Sequence, residues 1–421
     1  MYGRPVDAAL FSEDDLSIFG TGSLTVEGNS NDGISSNDGL VSNSGNISVT
    51  SVDDGIRGKD YLVIRGGTVT VEAVGDGFKS TNEEDEARGY VLIEDGVVEI
   101  VAGGDGVQAE TDALIAGGQL TVLAGGGNHA RLGADESAKG VKAGVMLVVD
   151  GGTLVLDAAD DALHSSGTLW INGGSSELST GDDGIHADDE LVINDGEISI
   201  LTSYEGIENT EADLTINGGS IHVVSTDDGI NLAGAGDAGP GMPGGGGSGN
   251  YYLYLNGGTV VVDADGDGLD VNGSFVMSDC QLIVHEAYTQ VNSPIDVNNQ
   301  FQMNGGFLVG TGAPHMAQGP GTISNQYALL FYFSGAVSSG TLIHLESNSG
   351  EDLLTFAPGN SYGFVAFSSP ELSYGTQYKM YLGGSSSGSV TDGLYAGGTY
   401  TPGHLLGTFK ISGVVTQLSV S

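Results

Sequence analysis

Cysteine is almost absent from this 421-residue chain: Cys280 stands alone, so no internal disulfide is available and the redox compartment stays open. Bases are nearly as scarce. Eleven Lys and Arg face 55 Asp and Glu, for a net charge of −44. That balance excludes nucleic acid as a partner, because its binders need basic surface, and it argues against anionic membranes. No run of about 18 apolar residues occurs, so no membrane-spanning helix is expected. Met1-Tyr2-Gly3-Arg4-Pro5 opens without the apolar stretch of a signal peptide, which leaves a mature form, a cytoplasmic protein or a module of something larger. The chain has no Gly-x-y period and no Gly-x-Ser-x-Gly, His-Glu-x-x-His or Cys-x-x-Cys signature.

What is abundant is glycine, 73 residues, and it is periodic. Asp182-Asp183-Gly184-Ile185 recurs as Tyr204-Glu205-Gly206-Ile207 and as Asp227-Asp228-Gly229-Ile230. Between them lie short apolar alternations that end in Asn and a Gly turn, such as Leu214-Thr215-Ile216-Asn217-Gly218-Gly219. The Asp-like position can be followed at 32, 54, 76, 105, 139, 161, 183, 205, 228, 267 and 289. Most steps are 22 or 23 residues, and the longer ones hold insertions at about 80–90, 125–138 and 232–250. A period of this size marks a solenoid, whose insertions leave as loops.

Each unit carries about three short strands with alternate residues inward. One inward column reads Ile56, Phe78, Val107, Val141, Leu163, Ile185, Ile207, Ile230, Leu269 and Val291. Right-handed crossovers are the rule for parallel strands. The expected fold is therefore all-β: a right-handed parallel β-helix over 1–310, with about 11 turns of ~22 residues. From 311 to 421 the texture changes. Aromatics concentrate there, and strand-like runs such as 327–333 and 341–345 alternate with Gly and Ser turns. A C-terminal antiparallel β region capping the helix is expected, since an open last turn would expose strand edges.

The ordered motifs resemble a known family. Ala9-Leu10-Phe11-Ser12, Asp53-Asp54-Gly55-Ile56, Gly75-Asp76-Gly77-Phe78, Asp160-Asp161-Ala162-Leu163-His164 and the later Asp-Gly-Ile units carry the likeness, together with the Gly-rich loop after Asn231 and the tail Thr391-Asp392-Gly393-Leu394-Tyr395. They look like the bacterial carbohydrate-binding domain-containing β-helix proteins, and the likeness covers nearly the whole chain. It implies a secreted or cell-surface protein with a pectate-lyase-like fold that bears calcium. The ligands it implies are plant cell-wall polysaccharides: cellulose, xylan or acidic pectic sugars. Such proteins usually carry further sequence ahead of the Ala-Leu-Phe-Ser stretch, which points to an excised module here.

The strongest chemical feature is a carboxylate ladder. Stacked turns lie roughly 4.8 Å apart, so aligned acids repel unless protonated, hydrogen-bonded or bridged. Ca²⁺ takes about six to eight oxygens and suits such clusters. The candidate ligands are Glu205, Glu208, Asp227 and Asp228 with Asp267 and Asp270; then Asp160, Asp161, Asp182 and Asp183; then Asp53, Asp54 and Asp76. The plain alternative for each Asp is a turn residue capping backbone N–H groups. Asp263-Ala264-Asp265-Gly266-Asp267 resembles a calcium-loop fragment but lacks the later Glu of an EF-hand.

Lys139 breaks the Asp column, and Lys142 lies three residues on, in the column of Arg57 and Lys79. In a lyase, such a base beside calcium would abstract the proton α to a uronate carboxyl; an ion pair with neighbouring aspartates is the plainer reading. His164 and His186 stack one turn apart beside Asp161 and Asp183 and read as sugar-contacting residues, with transition-metal ligation as the alternative. For sugar stacking the candidates are Trp170, the lone tryptophan, and Tyr254, in an outward column of Val63, Leu92, Leu114, Val148, Trp170, Val192, Thr215 and Tyr254; Tyr204 is a further candidate. The expected function is a calcium-stabilised, non-catalytic carbohydrate-binding module. A calcium-dependent polysaccharide lyase and a surface adhesin are the alternatives. The negative charge favours an uncharged glycan over pectin unless cations bridge.

Overall fold

Glycine is needed in the Asp-Gly-Ile turn because two layers of the coil meet there. A Cβ on Gly55 would lie 2.3 Å from Val71 Cγ1 and 2.5 Å from the Gly77 carbonyl oxygen. A second glycine precedes the third strand of most turns. Gly118 has φ +80°, and a Cβ on it would stand 2.7 Å from the Gly96 oxygen. These features come from a computed structural model, which describes residues 7–133, 136–210, 212–233 and 249–420. The chain divides into two units, Met1–Ala212 and Asp213–Ser421.

In the first unit a turn consists of three strands, for example Ile56–Gly58, Tyr61–Ile64 and Thr68–Ala73. Corresponding strands of successive turns pair in parallel, giving three sheets. The first sheet carries the plug residues in register: Ile34, Ile56, Phe78, Val107, Val141, Leu163, Ile185 and Ile207. All eight are essentially inaccessible to solvent. The third strand alternates strictly, with Val69, Val71 and Ala73 buried between exposed neighbours.

The second unit continues the pattern with strands such as Leu269–Val271, Ser274–Met277 and Gln281–Glu286. Its last parallel strand, Phe307–Gly312, pairs antiparallel with Tyr362–Ser368, Val309 facing Phe367. Ala328–Val337 follows antiparallel, and Val415–Val420 then pairs with it in parallel. A separate six-stranded sheet is antiparallel throughout, with Ile343–Ser347 between Asp352–Phe356 and Gln377–Ser386. Ile343, Leu345, Phe356, Phe367, Tyr378 and Met380 share one apolar core there. The architecture is a right-handed parallel β-helix with a C-terminal antiparallel region.

Two expectations about register need correction. The repeat followed from Asp32 starts one turn earlier: Ala8–Ser12, Leu16–Ile18 and Ser23–Gly28 form a complete turn, with Ala8 facing Asp32 and Leu10 facing Ile34. Ala8-Ala9-Leu10 stands where later turns have Asp-Gly-Ile, and it lacks both the acid and the Gly. At the other end, Thr289 and Val291 do not continue the columns. Asp270 pairs with Asp296, so the plug is Ile295, fully buried, while Val291 is 71% exposed. The chain bulges outward before Ser293, whose oxygen accepts the Gly268 N–H.

Residues 81–89 and 125–140 connect strands of adjacent sheets, as a solenoid insertion does. Most of the 232–250 insertion, including Gly244-Gly245-Gly246-Gly247, lies outside the described residues, as do residues 1–6 and 134–135. Glu286 is fully buried at the end of its strand, where its carboxylate accepts the Ala313 N–H at 2.6 Å. Burial pushes this carboxyl up to about 7, against the downward pull of the Ala313 and Thr289 N–H groups.

Candidate functional site: an acid column, a base column and an aromatic face

The aspartates of the repeat do cap backbone, but the N–H groups belong to the following turn. Asp54 Oδ1 accepts the Asp76 N–H at 3.0 Å, Asp76 Oδ1 that of Asp105 at 2.8 Å, and Asp105 Oδ1 that of Lys139 at 2.8 Å. Asp161 serves Asp183 at 3.1 Å. In the second unit Asp228 serves Asp267 at 2.6 Å, and Asp267 serves Ser293. Each carboxylate therefore ties two turns together, and its charge is drawn into the groove between them.

A column of bases answers that charge in the first unit. Register aligns Ser35, Arg57, Lys79, Gln108, Lys142, His164, His186 and Glu208. Arg57 Nε lies 2.7 Å from Asp32. Lys79 Nζ lies 2.7 Å from Asp76 and 3.2 Å from Asp54, and Lys142 is 3.6 Å from Asp105. The candidate trio Asp53, Asp54 and Asp76 is thus not assembled as expected: Lys79 binds Asp54 and Asp76, whereas Asp53 and Asp54 approach Asp32.

Lys139 sits in the acid column itself, 2.8 Å from Asp160 and in contact with Asp161. Burial alone would lower its ammonium pKa, but Asp161 and Asp160 outweigh burial and raise it. A lyase base needs the opposite shift, so this geometry suits an ion pair and not proton abstraction.

The next turns hold the densest cluster. Asp160, Asp161 and Asp182 converge, as do Asp161, His164 and His186, and then Asp183, His186 and Glu208. His164 Nδ1 is 2.8 Å from Asp161, and His186 Nδ1 is 2.8 Å from both Asp183 and Glu208. The imidazoles stack at 4.9 Å and 18°. Burial works to lower His186, yet its bonds to Asp183 and Glu208 raise it to about 11. Asp182 is pushed up to about 6 by burial and by Asp161 and Asp160. Burial would raise Asp161 too, but His164 and Lys139 hold it below the usual range. Tyr204 and Glu205 lie beside this cluster in chain order: the Tyr204 N–H donates to the Asp182 oxygen at 2.7 Å, and the Glu205 oxygen accepts the Gly184 N–H at 3.0 Å.

In the second unit Asp228, Asp267 and Asp270 bring carboxylate oxygens within 4.8 Å of one another. Asp227 precedes them, its carbonyl accepting the Gly266 N–H. The base column has no base here: register aligns Asn231, Asp270 and Asp296. Burial pushes Asp267 up to about 8, and Asp228 adds to the shift. This all-oxygen set fits a hard divalent cation. Of the expected six acids, Glu208 belongs to the histidine cluster of the first unit, and Asp228 groups with Asp267 and Asp270 in the second.

The aromatic candidates are on another face. In the first unit, Val63, Leu92, Leu114, Val148, Trp170 and Val192 do align along the outer side of the second sheet. Trp170 is 37% exposed, and its indole N–H donates to Glu190 at 3.3 Å. His164 and His186 belong to the first sheet, so they do not join Trp170 in one sugar site. Tyr61 and Tyr90 were missed: they face each other two residues before the apolar column, stacked at 5.4 Å and 17°. Their spacing from Val63 and Leu92 would have placed them on the same face. In the second unit Tyr254 stacks on Tyr252 at 5.3 Å.

Among the described residues no helix is long and apolar enough to cross a membrane. No curated protein and no solved structure matches the chain. A family model does, over residues 2–184 and 180–306, and its description is that of a binding domain and not of a catalyst. With more than half of its length matched, the chain belongs to the carbohydrate-binding domain-containing protein family.

Proposed function

We propose that the chain is an extracellular module that holds an uncharged plant-wall β-glycan, of the xylan or cellulose class, along the outer face of the second sheet. The observation that carries this reading is the aligned apolar column with Trp170 exposed on it and the Tyr61–Tyr90 pair beside it. Flat rings stack on the apolar faces of pyranoses, and Glu190 fixes the indole by its hydrogen bond. The net charge of −44 disfavours polygalacturonate unless cations bridge it. Calcium serves as a structural ion, held by Asp228, Asp267 and Asp270. The ion would offset the mutual repulsion of these carboxylates.

Affinity electrophoresis on xylan, soluble cellulose and polygalacturonate tests the reading. Retardation on the neutral glycans is expected, weakened on the order of tenfold by Trp170→Ala and by Tyr61→Ala with Tyr90→Ala. Unchanged mobility of the wild type on all three would overturn it and favour a protein partner for the apolar face.

A further inference from the structure

The histidine cluster of the first unit is chemically unlike the oxygen-only group of the second. Two carboxylates converge on one imidazole nitrogen: Asp183 Oδ2 and Glu208 Oε2 are each 2.8 Å from His186 Nδ1. A ring N–H lies in the plane of the ring along one direction and can be aimed well at only one of them. Three donor atoms gathered around one point, one nitrogen and two oxygens, describe a coordination triangle better than a hydrogen bond.

The surroundings match that reading. Asp183 is 5% exposed, so its carboxylate is withdrawn from water. His164 stacks over His186, and its own Nδ1 is tied to Asp161 at 2.8 Å. His186 Nε2 faces Asp188 at 3.1 Å, the carboxylate–histidine arrangement that fixes a ligating ring from behind. The Lys139 ammonium is committed to Asp160 and Asp161. Of five carboxylates (Asp160, Asp161, Asp182, Asp183 and Glu208), Lys139 and the two imidazoles can answer at most three.

We propose that His186 Nδ1, Asp183 and Glu208 bind a divalent transition-metal ion of the zinc class, with Asp188 behind the ring and the His164–Asp161 pair beside it. Calcium is the wrong ion for this set because it takes oxygen ligands, whereas imidazole suits zinc, cobalt, nickel and copper. Tetrahedral zinc bonds of about 2.0–2.2 Å put neighbouring ligands about 3.4 Å apart, so the observed 2.8 Å contacts must open by roughly half an ångström. Binding replaces the proton between the three groups by the metal. The site lies on the first sheet, away from the aromatic column, and does not depend on glycan binding.

The test uses the full chain stripped by chelation, titrated calorimetrically with Zn²⁺ and with Ca²⁺, and optically with Co²⁺. One tight Zn²⁺ site is expected, unaffected by excess Ca²⁺, with visible Co²⁺ bands typical of mixed nitrogen and oxygen ligation. His186→Gln and Glu208→Gln should each weaken Zn²⁺ at least about tenfold, while Trp170→Ala leaves it unchanged. Both substitutions are near-isosteric, and retained circular dichroism shows that they fold. Zn²⁺ affinity equal in wild type and His186→Gln, or displacement of Zn²⁺ by equimolar Ca²⁺, would overturn the assignment.

Discussion

The ammonium of Lys79 is shared between two turns: it lies 2.7 Å from Asp76 in its own turn and 3.2 Å from Asp54 in the turn before. Its bonds to Asp76 and Asp54 raise its pKa although burial opposes them. Removing it leaves two carboxylates facing each other in a half-closed groove. Lys79→Met is expected to cost roughly 1–3 kcal/mol in denaturant unfolding, a range reduced for its partial exposure. Asp76→Asn in the same chain should recover part of the loss. Equal stability of wild type and Lys79→Met would show that the acid column needs no base at this turn.

Gly55 lies under the third strand of its own turn, with Val71 Cγ1 where a Cβ would go. Gly55→Ala should destabilise by roughly 1–3 kcal/mol through overpacking. Val71→Ala should relieve some of that cost, but not all, because the Gly77 oxygen also blocks the position. A double-mutant cycle reads the coupling directly.

Glu286 supplies a pH signature away from both ion clusters. Its folded carboxyl is raised from 4.5 to about 7. The folded state therefore holds the proton more tightly than the unfolded chain. Its contribution to stability is fully present below about pH 4.5 and is lost as pH rises through about 7. Glu286→Gln removes this dependence, so the variant should gain on wild type at pH 8 and not at pH 4. Thermal melts of both proteins across that range check the sign.

Chelation should act on the oxygen-only group. EDTA is expected to lower the melting temperature of the wild type by a few degrees, and added Ca²⁺ to restore it. Asp267→Asn should gain nothing from added Ca²⁺, whatever EDTA also removes from the histidine cluster. In chelator, the variant should melt no lower than wild type, because the buried repulsion among Asp228, Asp267 and Asp270 has been removed with the charge. A full Ca²⁺ response in Asp267→Asn would place the calcium elsewhere.

The fold was legible wherever an acid, a glycine and an apolar plug coincide, as at Asp54-Gly55-Ile56. It was illegible where both the acid and the glycine are replaced: Ala8-Ala9-Leu10 hid the first turn, and Ser293-Pro294-Ile295 hid the last plug behind a bulge. The site was only half legible. Arg57, Lys79 and Lys142 are visible as one column, and His164 and His186 stand at the same three-residue offset from Asp161 and Asp183, but that Asp183 and Glu208 meet on one imidazole nitrogen needs the side-chain geometry. Tyr61 and Tyr90 are legible only through their spacing from Val63 and Leu92, since they stand 29 positions apart in a chain whose usual step is 22 or 23, the loop at 81–89 intervening.

An aspartate that accepts an N–H from the following turn is incomplete until that turn has been laid down. The coil therefore has a direction of assembly: each rung with an acid at this position presents an unfilled acceptor that only its successor can fill, the rung of Lys139 being the exception. A whole rung inserted between Asp54 and Asp76 would inherit an acceptor below and offer one above, whereas a partial rung would strand both. Length can change in whole-turn quanta, and the column that holds the turns together is also what counts them.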